Sequence, residues 1–170
     1  MMKKLRSLTM TAVLALGPLS LFACAADEVL DTKTSALSED CTLTQGYWKT
    51  HSLRGPAPYD DAWLLLGPLG SDTQFLNSSY TWYQLFWTPV GGNAWINLAH
   101  QYMAAYLNLL NGSMAPGPVD TAMANAEALF DAQGAGDTKL TPAEKKKAGK
   151  WMTTIGNYNE GVTGPGHCDE

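Results

Sequence analysis

The chain has 170 residues, 45% of them apolar, with six tryptophans and a formal net charge of −5, enough length and apolar content for one domain with a substantial core and too little for two. An acidic balance of that size argues against nucleic-acid binding, which needs net phosphate neutralisation.

At the start, Met1-Met2-Lys3-Lys4-Leu5-Arg6 forms a positive n-region, and the apolar run from Leu8 to Ala23 ends in small residues, the pattern of a secretory signal peptide over residues 1–23. The run is too short for a membrane-spanning helix. Leu21-Phe22-Ala23-Cys24 resembles the bacterial lipobox, in which the cysteine becomes the first mature residue and carries the lipid. Cys24 is therefore the expected lipidation site, anchoring the protein to a bacterial membrane, most simply the outer one. Ordinary cleavage after Ala25 or Ala26, releasing a secreted protein, is the other reading, because Ala23-Cys24-Ala25 also fits the small-x-small rule. Three bases, Lys3, Lys4 and Arg6, and no acid leave with the leader, so the formal net charge moves from −5 to −8. The remaining basic run, Lys145-Lys146-Lys147 with Lys150, reads as a solvated helix face.

Residues 24–40 are polar and lack aromatics, which suits a flexible tether. A single domain over 41–168 follows, opening on Cys41-Thr42-Leu43-Thr44-Gln45-Gly46-Tyr47-Trp48-Lys49-Thr50-His51. Pro56 and Pro58 fix φ and remove donors, so 50–59 is a loop. Asp60 to Leu66, stopped by Gly67-Pro68, suits a short helix burying Trp63, and Gln74-Phe75-Leu76 a short extended piece. Thr81 can cap a helix from Trp82 to Trp87 whose aromatics surround the axis, predicting burial of most of them.

Asn93 caps the strongest helix, Ala94 to Asn111, with Gly112 in the C′ position; it would be roughly 27 Å long. Asn97, Gln101, Ala104, Asn108 and Asn111 share one narrow sector of it, with His100 on the border, and apolar residues fill the rest. Val119 to Gln133 is an alanine-rich helix. Thr141-Pro142-Ala143-Glu144 is a capping box starting a helix with an apolar stripe through Ala148, Trp151, Met152, Ile155 and Tyr158, stopped by Gly161. The tail 161–168 is a Gly/Pro strap. The fold is thus mainly α, a single compact bundle of about four or five helices with long Gly/Pro loops.

An exported mature domain keeps Cys41 and Cys168, one at each end of the folded unit, which predicts a disulfide. Closing a loop of more than 100 residues would constrain the unfolded chain by about 4–5 kcal/mol in the entropy model.

The opening run and the closing Tyr158-Asn159-Glu160-Gly161-Val162-Thr163-Gly164-Pro165-Gly166-His167-Cys168 resemble an uncharacterised bacterial secreted or lipoprotein domain, whose members open with C-T-x-T-Q-G-Y-W-K-[NT]-H and close with D-Y-N-x-G-x-x-G-P-G-H-C. Leu98 to Asn108 resembles its middle. The resemblance spans Cys41 to Cys168 and departs at Asn157, where the family pattern has Asp. It implies an extracytoplasmic location, paired terminal cysteines and a common fold, and no activity.

Two sites are open on the sequence. His51, His100 and His167 each fall in a distinctive segment, and a terminal disulfide brings His167 beside the opening stretch. Three imidazoles converging there would hold zinc or copper, as in a hydrolase or an oxidase; alternatively each histidine hydrogen-bonds backbone and no cofactor is needed. Gln45, Tyr47, Trp48 and Lys49 facing Gln101 and Asn108 would make a cleft for a carbohydrate, a peptide or a surface protein; alternatively Tyr47 and Trp48 plug the end of the bundle. Lacking a nucleophile elbow, a metalloprotease helix motif or a phosphate loop, the chain reads first as a non-enzymatic cell-surface or periplasmic binding or structural module. Its membrane contact is through lipid only, and its oligomeric state is open.

Overall fold

A computed structural model describes residues 40–133 and 139–169. The leader, Cys24 and all of the tether but Asp40 lie outside the described residues, as does the turn at 134–138. Among the described residues the fold is helical, with α1 (Gln45–Thr50), α2 (Trp82–Trp87), α3 (Ala94–Leu110), α4 (Gly117–Gln133) and α5 (Pro142–Asn159), plus two short 3-10 turns at Asp61–Leu66 and Gly70–Asp72. No described helix is long and apolar enough to cross a membrane.

The caps act as their residue types dictate. Asn93 accepts from the Trp95 and Ile96 N–H groups, and Thr81 and Thr141 each complete a capping box with Gln84 and Glu144. Gly112 (φ 101°) and Gly161 (φ 68°) follow the C-caps of α3 and α5 in a left-handed conformation that a β-carbon disfavours. Asp60 to Leu66 forms a 3-10 turn rather than an α-helix, with Asp60 accepting from the Ala62 N–H, because Gly67 ends it before a second α turn can close. Gln74 makes an isolated antiparallel bridge with Thr81, so the extended piece expected there is one residue pair.

Sequence reading missed α1 altogether. Its six residues span under two turns, too few to show a 3.6-residue period, and Gly46 within it lowers its intrinsic propensity. What starts it is Thr44, whose hydroxyl accepts from the Tyr47 N–H at 3.1 Å.

α3 is the central helix. It buries Trp95, Leu98, Ala99, Tyr102, Met103, Ala105 and Leu107, and α5 packs along both α3 and α4. Edge-to-face aromatic pairs run through the core from Trp48 to Trp63 (6.3 Å), Trp63 to Trp82 (6.3 Å), Trp82 to Phe75 (5.5 Å) and Phe75 to Phe130 (5.3 Å). That geometry sets the positive ring edge against the negative face. The expected burial of the α2 aromatics holds for Trp82 and Phe86 but not for Trp87, which is 39% exposed. Trp82, Leu85 and Phe86 share the inner face, and a six-residue helix has one face against the core.

Candidate functional site

The two ends of the domain are joined as predicted. Cys41 and Cys168 form a disulfide across 127 residues with Cα atoms 5.0 Å apart. Around it the strands of chain pair: the Thr42 N–H donates to Gly166 O at 2.8 Å and the Cys168 N–H to Thr42 O at 3.0 Å, giving a parallel bridge between Thr42 and His167. The Thr42 hydroxyl, fully buried, lies 2.9 Å from Tyr158 O and 3.0 Å from Gly166 O. Ser113 donates its hydroxyl to Cys41 O. Burial in this knot pushes the Tyr158 phenol up to about 12.

Asn108 ties the knot to α3. Its Oδ1 accepts from the Leu43 N–H at 2.9 Å and the Trp48 indole N–H at 3.0 Å, while its Nδ2 donates to Leu43 O at 2.9 Å and Asn159 Oδ1 at 3.2 Å. Every donor and acceptor site of a buried amide is thereby used. Asn159 in turn donates from Nδ2 to Gln101 O and Gln101 Oε1, both at 2.9 Å. The amide sector of α3 is therefore the seam between α3, α5 and the opening stretch.

This corrects the ligand cleft expected from Gln45, Tyr47, Trp48, Lys49, Gln101 and Asn108. Trp48 is fully buried against Trp63 and Asn108, so burial and the network take it and Asn108 out of any binding surface, while the half-buried Gln101 accepts from Asn159 through Oε1. Tyr47 is half-buried and donates its hydroxyl to Asp60 Oδ2 at 2.9 Å. Of these six residues, Gln45 and Lys49 line an open cleft.

The three histidines do not converge, and the metal reading is corrected on geometry. His51 Nδ1 lies 2.9 Å from Tyr47 O, with its ring stacked 3.8 Å from that of Tyr47. His100 Nε2 lies 2.7 Å from Leu85 O, and His167 Nδ1 2.6 Å from Cys168 O. Carbonyls only accept, so each of those nitrogens carries the proton and is spent on local backbone. No group of three His, Cys, Asp or Glu side chains among the described residues is placed to hold a metal ion.

His100 nevertheless belongs to a site. It lines a cleft of about 450 Å³ whose wall also includes Gln45, Lys49, Phe86, Val90 and Glu160. α3 supplies the imidazole, and the end of α2 supplies its carbonyl partner; Leu85 O also accepts the C-cap N–H of Thr88. Burial lowers the His100 pKa, the hydrogen bond to Leu85 O opposes that, and the Lys49 charge lowers it further. Lys49 stands with its Nζ 4.5 Å from the Trp87 ring centroid, a cation–π contact that uses the exposed indole. Beyond it, Arg54 stacks 4.3 Å from the Tyr83 centroid and pairs with Asp72, whose carboxyl it holds below the usual range.

Sequence reading did not find Phe86, Val90 or Glu160 as wall residues. For Glu160 a signal existed: an acid at the C-terminal end of a helix opposes the helix dipole and invites an explanation. Lys145, Lys146, Lys147 and Lys150 are exposed on α5, in keeping with a solvated face. No protein-family model, curated protein or solved structure matches this chain.

Proposed function

We propose that the chain is an exported bacterial lipoprotein, of the kind its end motifs resemble, whose 41–168 domain is a non-enzymatic binding module held at a membrane surface by lipid on Cys24. The observation that supports this reading best is the terminal knot. The disulfide, the Thr42 bridge and the Asn108 network commit Trp48, Asn108 and His167 to structure, and His51 is held by Tyr47. A disulfide of this kind suits an oxidising compartment. A cleft at Lys49, His100 and Glu160 stays open to a ligand, and its groups suit recognition by charge and shape.

Metabolic labelling of the full chain in a bacterial host with a clickable palmitate analogue, followed by fractionation, tests it. The expected result is label in the membrane fraction, lost in Cys24→Ser. A wild-type chain recovered unlabelled, in the cytoplasm, with Cys41 and Cys168 reduced overturns the reading.

A further inference from the structure

We propose that the cleft walled by α1, α2, α3 and the end of α5 binds a small zwitterionic ligand of the amino-acid class, its carboxylate at Lys49 and its ammonium at Glu160. The proposal rests on the binding-module reading and names its ligand. Glu160 is the C-cap of the 18-residue α5, with its N–H donating to Gly156 O. Its carboxylate therefore stands at the negative end of a helix dipole, where a cation is favoured and an acid is not. No ion pair among the described residues joins it to Lys49, although both line the same cleft.

Lys49 has the opposite character. It sits in the last turn of α1, where a positive charge is favoured. The Trp87 face holds its ammonium group through the ring's quadrupole, without taking a hydrogen-bond acceptor. A base and an acid thus line one small cleft, unpaired with each other, and its wall also includes the apolar Phe86, Pro89 and Val90. That is the layout needed to hold two opposite charges and an apolar side chain at once. His100, buried beside Phe86 with its ring centroid 5.7 Å away, donates from Nε2 to Leu85 O, which leaves Nδ1 of the neutral ring an acceptor.

Size and charge exclude the other classes. At about 450 Å³ the cleft lies at the small end of ligand sites, which span about 300–1,000 Å³, so it suits a free amino acid or dipeptide better than an oligosaccharide. A purely anionic ligand would meet the Glu160 charge, and a purely cationic one the Lys49 charge. A neutral sugar would desolvate both and pair neither, which costs free energy.

Calorimetry on the detergent-solubilised full chain, titrated with L-leucine and leucyl-leucine, tests the proposal. N-acetyl-leucine and leucinamide, each lacking one charge, serve as controls. Saturable binding is expected, weakened at least about tenfold by loss of either charge on the ligand, by Lys49→Gln or by Glu160→Gln. Thermal melts confirm that both surface variants remain folded. Absence of saturable binding by both zwitterions, blocked analogues that bind as tightly as L-leucine, or unchanged affinity in both variants overturns it. A labelled, membrane-bound chain that binds neither zwitterion fails this proposal alone; an unlabelled cytoplasmic chain that binds leucine fails only the lipoprotein reading.

Discussion

Asn108 on α3 hydrogen-bonds both backbone groups of Leu43, accepting from its N–H and donating to its carbonyl, each at 2.9 Å. A side-chain amide has the same donor and acceptor as a peptide unit, so Asn108 stands in for a neighbouring strand beside the opening segment. The segment enters the core without a β-sheet and still leaves no polar group of Leu43 unpaired, which burial would make costly.

Replacing that amide should be among the most damaging single changes in the domain. Asn108→Leu leaves the Leu43 N–H and carbonyl, the Trp48 indole N–H and Asn159 Oδ1 without their partner. A loss of about 3–5 kcal/mol is expected, since each orphaned buried group costs about 1–3 kcal/mol and part of the strain relaxes. Urea unfolding measures it; a loss below about 1 kcal/mol would show that the network adds little.

The terminal staple makes a separate contribution. The double variant Cys41→Ser, Cys168→Ser opens a loop of 127 residues and is expected to lower stability by about 4–5 kcal/mol on the loop-entropy model. The hydrogen bonds of Thr42 to Gly166 and of Cys168 to Thr42 hold the ends together in the folded state, so native circular dichroism should persist at low temperature. Urea midpoints with and without reductant give the comparison.

Two glycines in and after α5 predict opposite signs. At Gly161, φ is +68° and a β-carbon would lie 2.3 Å from His167 N, so Gly161→Ala should destabilise by about 1–3 kcal/mol. At Gly149, inside α5, a β-carbon meets nothing within 4 Å. Gly149→Ala should stabilise by about 0.5–1 kcal/mol through helix propensity. Thermal melts of the pair check both.

His100 should make stability fall with acid. Burial lowers its folded pKa below the ordinary 6.5, so as pH drops the unfolded chain takes up this proton first. Stability is then lost as pH falls through 6.5 and levels off below the depressed folded value. Lys49 favours the neutral ring, while the hydrogen bond to Leu85 O opposes it. His100→Gln keeps an N–H able to donate to Leu85 O and removes the titration. Urea unfolding at about pH 8 and pH 5.5 should therefore show a smaller drop for the variant than for wild type.

Much of the fold was legible because its signals are local. Thr81, Asn93 and Thr141 cap helices by donors and acceptors within three residues, and Gly112 and Gly161 mark the stops where a β-carbon is disfavoured. The disulfide followed from chemistry and position. α1 was not legible, because its six residues carry no period and, unlike the equally short α2, it holds a glycine and lacks a capping box.

The site was only partly legible. Lys49, Gln45 and His100 were named, but for two different sites, and the structure places all three on one cleft wall with Glu160. Trp48 and Asn108 carry side chains as apt for a ligand as for a neighbour, and composition does not distinguish those uses.

The sequence by itself determined α2 to α5, the caps at Thr81, Asn93 and Thr141 and the pairing of the two ends, since each depends on residues close in the chain or on scarce cysteines. Only the tertiary structure decided that the amide sector of α3 is a buried seam, that the three histidines serve separate carbonyls, and that a base on α1 faces the same cleft as an acid at the end of α5. Those are relations across 51 to 65 residues of chain for the Asn108 contacts, and which buried polar group meets which is set by how helices pack, not by the spacing along any one of them.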